Sequence, residues 1–165
     1  MRTVITFCTL CLLAVVSSPL ESADLLKVGV FRVNASPPIG SPVAYAATRK
    51  IVDPLSARGI VLVAGETTVV LCAVDWIGIG NGGLDVWRER IAAAAGTTAR
   101  DVSVHTLHQH DGCRCDFTTE AIMEKEGLGG KKFDNVFLRT VIQKVATAVS
   151  TAKANAIEIT HLGFG

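Results

Sequence analysis

Arg58-Gly-Ile-Val-Leu-Val-Ala-Gly-Glu-Thr-Thr-Val-Val-Leu-Cys-Ala-Val74 is the stretch of sequence that decides the fold. Its two runs rich in β-branched residues, 58–64 and 67–74, flank the dipeptide Gly65-Glu66. Such a pattern is typical of a β-hairpin. The second run is almost wholly apolar, so we expect its strand to be buried on both faces of the sheet.

The chain after the hairpin alternates helix and strand signals. Asp75 ends the second strand, and residues 77–83 form a glycine-rich loop. Apolar residues recur at helical spacing from 84 to 95, and the next β-branched run extends from 102 to about 108. A strand–helix–strand order favours a parallel pair of strands. Functional side chains are expected at the carboxyl ends of such strands.

The remaining segments complete an α/β pattern. Residues 26–33 predict a first strand and residues 120–126 a short helix. Asp134 is placed to cap a long helix whose apolar stripe consists of Leu138, Val141, Ile142, Val145, Val149 and Ala152. The last β-run, 156–164, has no covering element after it, so we expect a truncated chain. The predicted fold is α/β: a mixed, partly parallel β-sheet flanked by helices, in an incomplete domain.

The first 23 residues have the composition of a signal peptide. A positive charge at Arg2 precedes an uncharged, mostly apolar run, 4–16, which is too short to span a bilayer. The alternative is a buried N-terminal strand or helix. We expect residues 1–23 to be removed, residues 24–165 to form one domain, and the protein to be secreted or periplasmic.

The balance of charge argues against a nucleic-acid partner. The chain has 16 Lys and Arg against 15 Asp and Glu, so its net charge is +1, and no basic face is evident. No second apolar run is long enough for a transmembrane span. The sequence leaves the oligomeric state open.

The segment around His108-Gln-His110 contains the side chains that are best suited to bind a metal ion or to take part in catalysis. Strand alternation predicts that His108 and His110 point the same way, whereas His105 faces the other side as a hydrogen-bonded structural residue. Two converging imidazoles indicate metal ligation or polar catalysis, and the alternative is two partly exposed histidines at a strand end. For Asp75, we consider a carboxylate that orients a ligand histidine and a turn residue that caps the glycine loop.

Two cysteines follow the histidines closely. Cys113 and Cys115 suggest completion of a zinc site with two histidines, but the ligand spacing is compressed, so we favour two ordinary loop cysteines. Cys72 lies in an apolar run and is expected to be a small core residue.

Three segments in order resemble the neutral/alkaline (non-lysosomal) ceramidase family, over the N-terminal part of its catalytic domain. Residues 28–40 are similar to that family's first strand and its Pro-Pro-hydrophobic-Gly turn. Residues 69–80 are similar to its strand that ends in an aspartate and a small-residue loop. Residues 107–112 stand where the family carries its H-x-H motif. The resemblance covers nearly the whole chain after the leader.

The resemblance implies a zinc-dependent amidohydrolase that cleaves the amide bond of N-acylsphingosines, a lipid amide substrate. It implies that His108 is a Zn²⁺ ligand and that His110 is a neighbouring catalytic group. Zinc in such sites lowers the pKa of bound water and polarises the carbonyl. The family's other ligands, a second histidine, a glutamate and a tyrosine, match no position here. We therefore expect weak zinc affinity and little amidase activity from this chain alone.

The residues themselves leave two other functional classes open. The order of His108, His110 and Asp111 is similar to the H-x-H-x-D-H motif of metallo-β-lactamase-like hydrolases, with Cys113 in the place of the last histidine. An αββα sandwich would favour that class. The other alternative is a non-catalytic His/Cys metal-binding domain that uses both histidines, Cys113 and Cys115.

Overall fold

The structure is a computed structural model that describes residues 25–163. The predicted signal peptide, residues 1–23, lies outside the described residues. The strands and helices are β1 (Lys27–Asn34), β2 (Ser56–Ala64), β3 (Thr67–Val74), β4 (Gly78–Ile79), α1 (Asn81–Ala95), β5 (Val102–Thr106), β6 (Arg114–Cys115), α2 (Phe117–Lys125), α3 (Asn135–Ala154) and β7 (Ile157–Glu158).

The main sheet has five strands in the order β5-β3-β2-β1-β7. Strands β1, β2 and β3 pair antiparallel, with Gly59 opposite both Phe31 and Cys72. Strand β5 runs parallel to β3, with Val104 opposite Cys72, because α1 carries the chain back between them. The second sheet is a parallel pair of β4 and β6. The predicted fold class, a mixed and partly parallel sheet flanked by helices, is confirmed.

The helices cover one face of the sheet within the described residues. Helices α1 and α3 pack against each other, and α3 also packs on β1 and β2. Val61, Val70 and Cys72 on that face are fully buried. On the opposite face Val30 is 73% exposed and Leu71 41% exposed. The prediction that β3 is buried on both faces is therefore wrong, because nothing among residues 25–163 covers its second face.

The long helix α3 follows the prediction closely. The side chain of Asp134 accepts a hydrogen bond from the amide of Phe137, as an N-cap should. All six residues of the predicted apolar stripe are buried. A Cβ atom at Gly29 would collide with the main-chain oxygen of Ala152, so a glycine on β1 lets α3 approach the sheet.

Several element boundaries differ from the prediction. Helix α1 begins at Asn81, inside the predicted glycine loop, and contains Gly82 and Gly83. A Cβ at Gly83 would lie 2.6 Å from the main-chain oxygen of Cys115, so tertiary packing selects glycine there over a better helix former. Strand β5 stops at Thr106, and only Ile157–Glu158 of the last β-run joins the sheet.

No helix within residues 25–163 combines the length and apolar character that crossing a membrane requires.

Candidate functional site

The loop of residues 107–112 carries the two histidines beyond the end of β5. The amide of Leu107 donates to the oxygen of Val74, and the amide of His108 donates to the oxygen of Trp76, 3.1 Å away. His108 then adopts a left-handed backbone conformation with φ of 58°. This conformation is uncommon for residues other than glycine and often marks functional positions.

The two histidines are neighbours, although not for the predicted reason. Because β5 ends at Thr106, strand alternation does not place His108 and His110. The turn itself brings their ring centroids to 5.2 Å, with the planes at 73°. Both side chains lie at the surface, where a ligand can reach them. His105 is exposed on the uncovered face of the sheet, on the opposite face from Val104 and Thr106.

The orientation of the His108 ring follows from one hydrogen bond. Its Nδ1 lies 2.8 Å from the main-chain oxygen of Ile77. A carbonyl oxygen only accepts, so Nδ1 carries the proton, and in the neutral ring Nε2 keeps its lone pair. This is how proteins commonly fix the tautomer of a histidine that binds a metal or accepts a proton.

Tyr45 also belongs to the site, although no pattern in the sequence indicated a role for it. Its hydroxyl lies 2.9 Å from Nδ1 of His110, and the two rings meet edge to face at 5.4 Å. A short antiparallel bridge between Pro42 and Ala47 forms the turn that presents Tyr45. The separation of 65 residues between Tyr45 and His110 leaves no local signal that could have found this pair.

Gln109, between the histidines, ties the loop to the sheet. Its Nε2 donates to the main-chain oxygen of Asp75 at 2.5 Å, and its Oε1 accepts from the amide of Asp111 at 2.9 Å. Gly112 lies under this side chain, and a Cβ there would be 2.7 Å from Nε2 of Gln109 and 2.8 Å from the oxygen of Asp75.

The carboxylate of Asp75 neither orients a histidine nor caps the glycine loop, so both predicted roles are wrong. Its Oδ2 accepts from the amide and hydroxyl of Ser56 and from Arg58, 3.1 Å away. Burial alone would raise the pKa of Asp75, but these hydrogen bonds and the Arg58 charge outweigh it and hold the pKa below its usual value. Asp75 thus fastens the end of β3 to the start of β2.

The cysteines do not join the histidines in one site. Cys113 and Cys115 are 3% and 1% exposed, free thiols in the core, and burial raises the pKa of each to about 12. Across residues 25–163 no three His, Cys, Asp or Glu side chains converge as a metal-binding group. The described residues therefore give the non-catalytic His/Cys metal-binding alternative no support. Cys72 is buried in the core, as predicted.

The metallo-β-lactamase-like alternative also loses its support. The described residues hold one five-stranded sheet with helices on one face and a two-stranded sheet, not an αββα sandwich. Cys113, which stands in place of the last histidine of that motif, is buried.

A groove of about 800 Å³ opens beside the histidine loop. Gln109 and Asp111 line one side, and the irregular segment 36–55 lines the other. That segment contributes apolar Val43, Ile51, Val52 and Leu55, together with the cations Arg49 and Lys50. The groove therefore combines apolar side chains with polar and charged ones, a mixture that suits an elongated amphipathic ligand.

The fold is similar to that of known ceramidases. No protein-family model matches the chain, and no curated protein does either. The crystal structure of neutral ceramidase from Pseudomonas aeruginosa matches with a TM-score of 0.59 and 14% identity, over 83% of this chain and 23% of that one. A ceramidase complexed with C2 matches with a TM-score of 0.57 and 14% identity, over 82% and 22%. The chain thus has a ceramidase-like fold and spans less than a quarter of the length of either structure.

Proposed function

We propose that this chain is the N-terminal part of an exported, zinc-dependent amidohydrolase that acts on lipid amides of the N-acylsphingosine type. His108 supplies one zinc ligand, and His110 is the neighbouring catalytic group. The ceramidase-like fold and the order of the sequence motifs support the class. The activity belongs to the whole protein, of which these residues form one corner of the site.

The single observation that carries the proposal is the bond between His108 and Ile77. With Nδ1 held by the carbonyl of Ile77 at 2.8 Å, Nε2 is the nitrogen available to a metal ion. The left-handed backbone of His108 keeps that ring beyond the end of the sheet, beside His110. A histidine that served only to pack would not need a strained backbone and a fixed tautomer at an exposed position.

The donor set of the described residues fits one zinc ligand and not a complete site. A catalytic zinc takes three protein ligands, and no group of three suitable side chains converges within residues 25–163. When bound, zinc would activate water and polarise an amide carbonyl. The remaining ligands must come from other parts of the protein, so we expect weak zinc binding by this chain.

His110 is suited to hold or move a proton beside the zinc ligand. The Tyr45 hydroxyl at 2.9 Å from Nδ1 fixes one nitrogen of the His110 ring and leaves Nε2 for the substrate. The adjoining groove of about 800 Å³ has room for an elongated ligand, and its apolar residues Val43, Val52 and Leu55 would contact an acyl chain.

The proposal is tested by zinc titration calorimetry on the chain together with turnover of a fluorescent ceramide. We expect zinc to bind more weakly than about micromolar, corresponding to less than about 8 kcal/mol, and amide cleavage to be undetectable. His108→Asn should abolish the residual binding, whereas His105→Asn, a matched change at an exposed histidine, should leave it intact. Micromolar binding with measurable turnover would contradict the incomplete site, and binding that survives His108→Asn would contradict the ligand.

A further inference from the structure

We infer that Gln109 is the positioning residue that holds His108 and His110 in their working arrangement. The inference rests on the proposed function for its purpose, since a positioned pair matters only if the pair binds a ligand. Its physical basis is the two-ended bonding of the Gln109 side chain and the space that Gly112 leaves for it.

Both ends of the Gln109 amide are used. The donor end reaches out of the loop to the main-chain oxygen of Asp75, at 2.5 Å. The acceptor end turns back to the amide of Asp111, at 2.9 Å, on the far side of His110. One side chain therefore connects the end of β3 to the loop on both sides of the second histidine. An amide is the side chain that can donate and accept at once in this way.

The anchor at Asp75 is itself rigid. Asp75 is 8% exposed, and its carboxylate accepts three hydrogen bonds from Ser56 and Arg58 at the start of β2. The main-chain oxygen that Gln109 binds therefore belongs to a residue that cannot shift without disturbing two central strands. This hydrogen bond therefore fixes the position of the histidine loop relative to the sheet.

The strained backbone of His108 explains why such an anchor is needed. A left-handed residue other than glycine costs about 1 kcal/mol or more, and persists only where its surroundings fix it. The amide of His108 is held by Trp76, and its ring by Ile77. Both contacts precede Gln109 along the loop, so Gln109 is the contact that closes the turn after the strained residue.

Gly112 provides the complementary space. A Cβ at this position would lie 2.7 Å from Nε2 of Gln109, 2.8 Å from the oxygen of Asp75 and 2.8 Å from Cα of Trp76. Glycine therefore lets the loop press against the end of β3, and this places the amide of Gln109 within reach of Asp75.

Nitrogen-15 NMR of labelled histidine tests the inference without any metal. The spectra are recorded about two pH units above the reference histidine pKa of ~6.5. In the unaltered chain we expect His108 to carry its proton on Nδ1. Gln109→Glu has the same shape and can still accept from Asp111, but it cannot donate to Asp75. We expect the share of the Nε2–H tautomer of His108 to rise by up to about fivefold, the limit reached if the displaced loop also loses the bond from His108 to Ile77.

Two further variants keep the test decisive. Gln109→Met retains the length but loses both hydrogen bonds, and should shift the tautomer at least as far if the glutamate variant fails to fold. Gln143→Glu makes the same change at an exposed position on α3 and should shift nothing. A folded Gln109→Glu or Gln109→Met chain with the wild-type tautomer ratio would overturn the inference.

Adding Zn²⁺ to the same samples separates the inference from the proposed function. If zinc moves the His108 signals equally in the unaltered chain and in Gln109→Glu, the positioning role is wrong while the zinc site stands. If the variant shifts the tautomer but zinc moves no histidine signal in either chain, the positioning role is supported and the proposed function fails.

Discussion

The Nδ1 atom of His108 lies 2.8 Å from the main-chain oxygen of Ile77, and this hydrogen bond connects two loops that are 31 residues apart. Ile77 follows the end of β3, and His108 follows the end of β5, the strand parallel to it. The bond therefore exists because parallel strands bring their carboxyl ends to one edge of the sheet. It turns one ring nitrogen towards solvent, where a metal ion or a substrate can bind.

Gly112→Ala should destabilise the protein by about 1–3 kcal/mol, the usual effect of overpacking. The added methyl group would meet main-chain atoms of Asp75 and Trp76 at 2.8 Å, and backbone cannot move aside cheaply. Urea unfolding measures the difference. Gly78→Ala is the matched control, since no atom lies within 4 Å of a Cβ there. Equal effects of the two substitutions would contradict the packing described for the histidine loop.

Asp75→Asn should cost about 1–3 kcal/mol at neutral pH, because a carboxylate that accepts charged and neutral hydrogen bonds is lost. The pKa of Asp75 is lowered in the folded protein, so its contribution is present above the unfolded pKa of ~3.9 and disappears as the pH falls through the folded value. The unfolding free energies of the two proteins should therefore converge below about pH 4. Asp85→Asn, on the exposed side of α1, is the control. A difference that does not change with pH would contradict the role given to Asp75.

Glu120→Gln should stabilise the protein at neutral pH and have no effect in acid. Burial raises the pKa of Glu120, which is 5% exposed, and the charge of Glu124 adds to the rise against the opposing effects of Asn135 and Arg139. With a raised folded pKa, stability is full below the unfolded pKa of ~4.3 and is lost as the pH rises through the folded value. Thermal unfolding at several pH values measures the gain. Glu124→Gln is the exposed neighbour for comparison, and a loss of stability in Glu120→Gln at neutral pH would contradict the prediction.

The thiols of Cys113 and Cys115 should resist alkylation in the native protein. Burial raises their pKa to about 12, so the reactive thiolate at pH ~8 is rarer than in a free cysteine by about a thousandfold. Iodoacetamide labelling followed by peptide mass spectrometry measures each site, with the denatured chain as the reference for full reaction. Rapid native labelling of either peptide would mean that the thiols are accessible and would revive a role for them beside the histidines.

The fold was largely predictable because its signals are local. The hairpin of β2 and β3 and the helix α3 depend on apolar periodicity and on one cap, which are all visible in the sequence. The start of α1 was missed since Gly82 and Gly83 look like a loop, and only the approach of Cys115 explains a glycine in that helix. Coverage of a sheet face depends on distant segments, so the exposure of β3 could not be predicted.

The identity of the site residues was predictable, but their geometry was not. The H-x-H pattern singled out His108 and His110, yet they converge through a left-handed turn and not through strand alternation. Tyr45 and the carbonyl of Ile77 come from other loops, and a carbonyl leaves no trace in the sequence. Gln109 is visible in the sequence between the two histidines. Its role could not be predicted, because it depends on a hydrogen bond to Asp75, 34 residues away.

Histidine nitrogen-15 NMR during a Zn²⁺ titration tests most directly whether Nε2 of His108 is a zinc ligand. His108→Asn is a suitable reference because asparagine tolerates the left-handed backbone at this position. We predict that zinc shifts the Nε2 signal of His108 first, while the Nδ1 signal keeps its proton and the His105 and His161 signals stay in place. A titration in which the His108 Nε2 signal does not move, or moves only together with those of His105 and His161, would contradict the account.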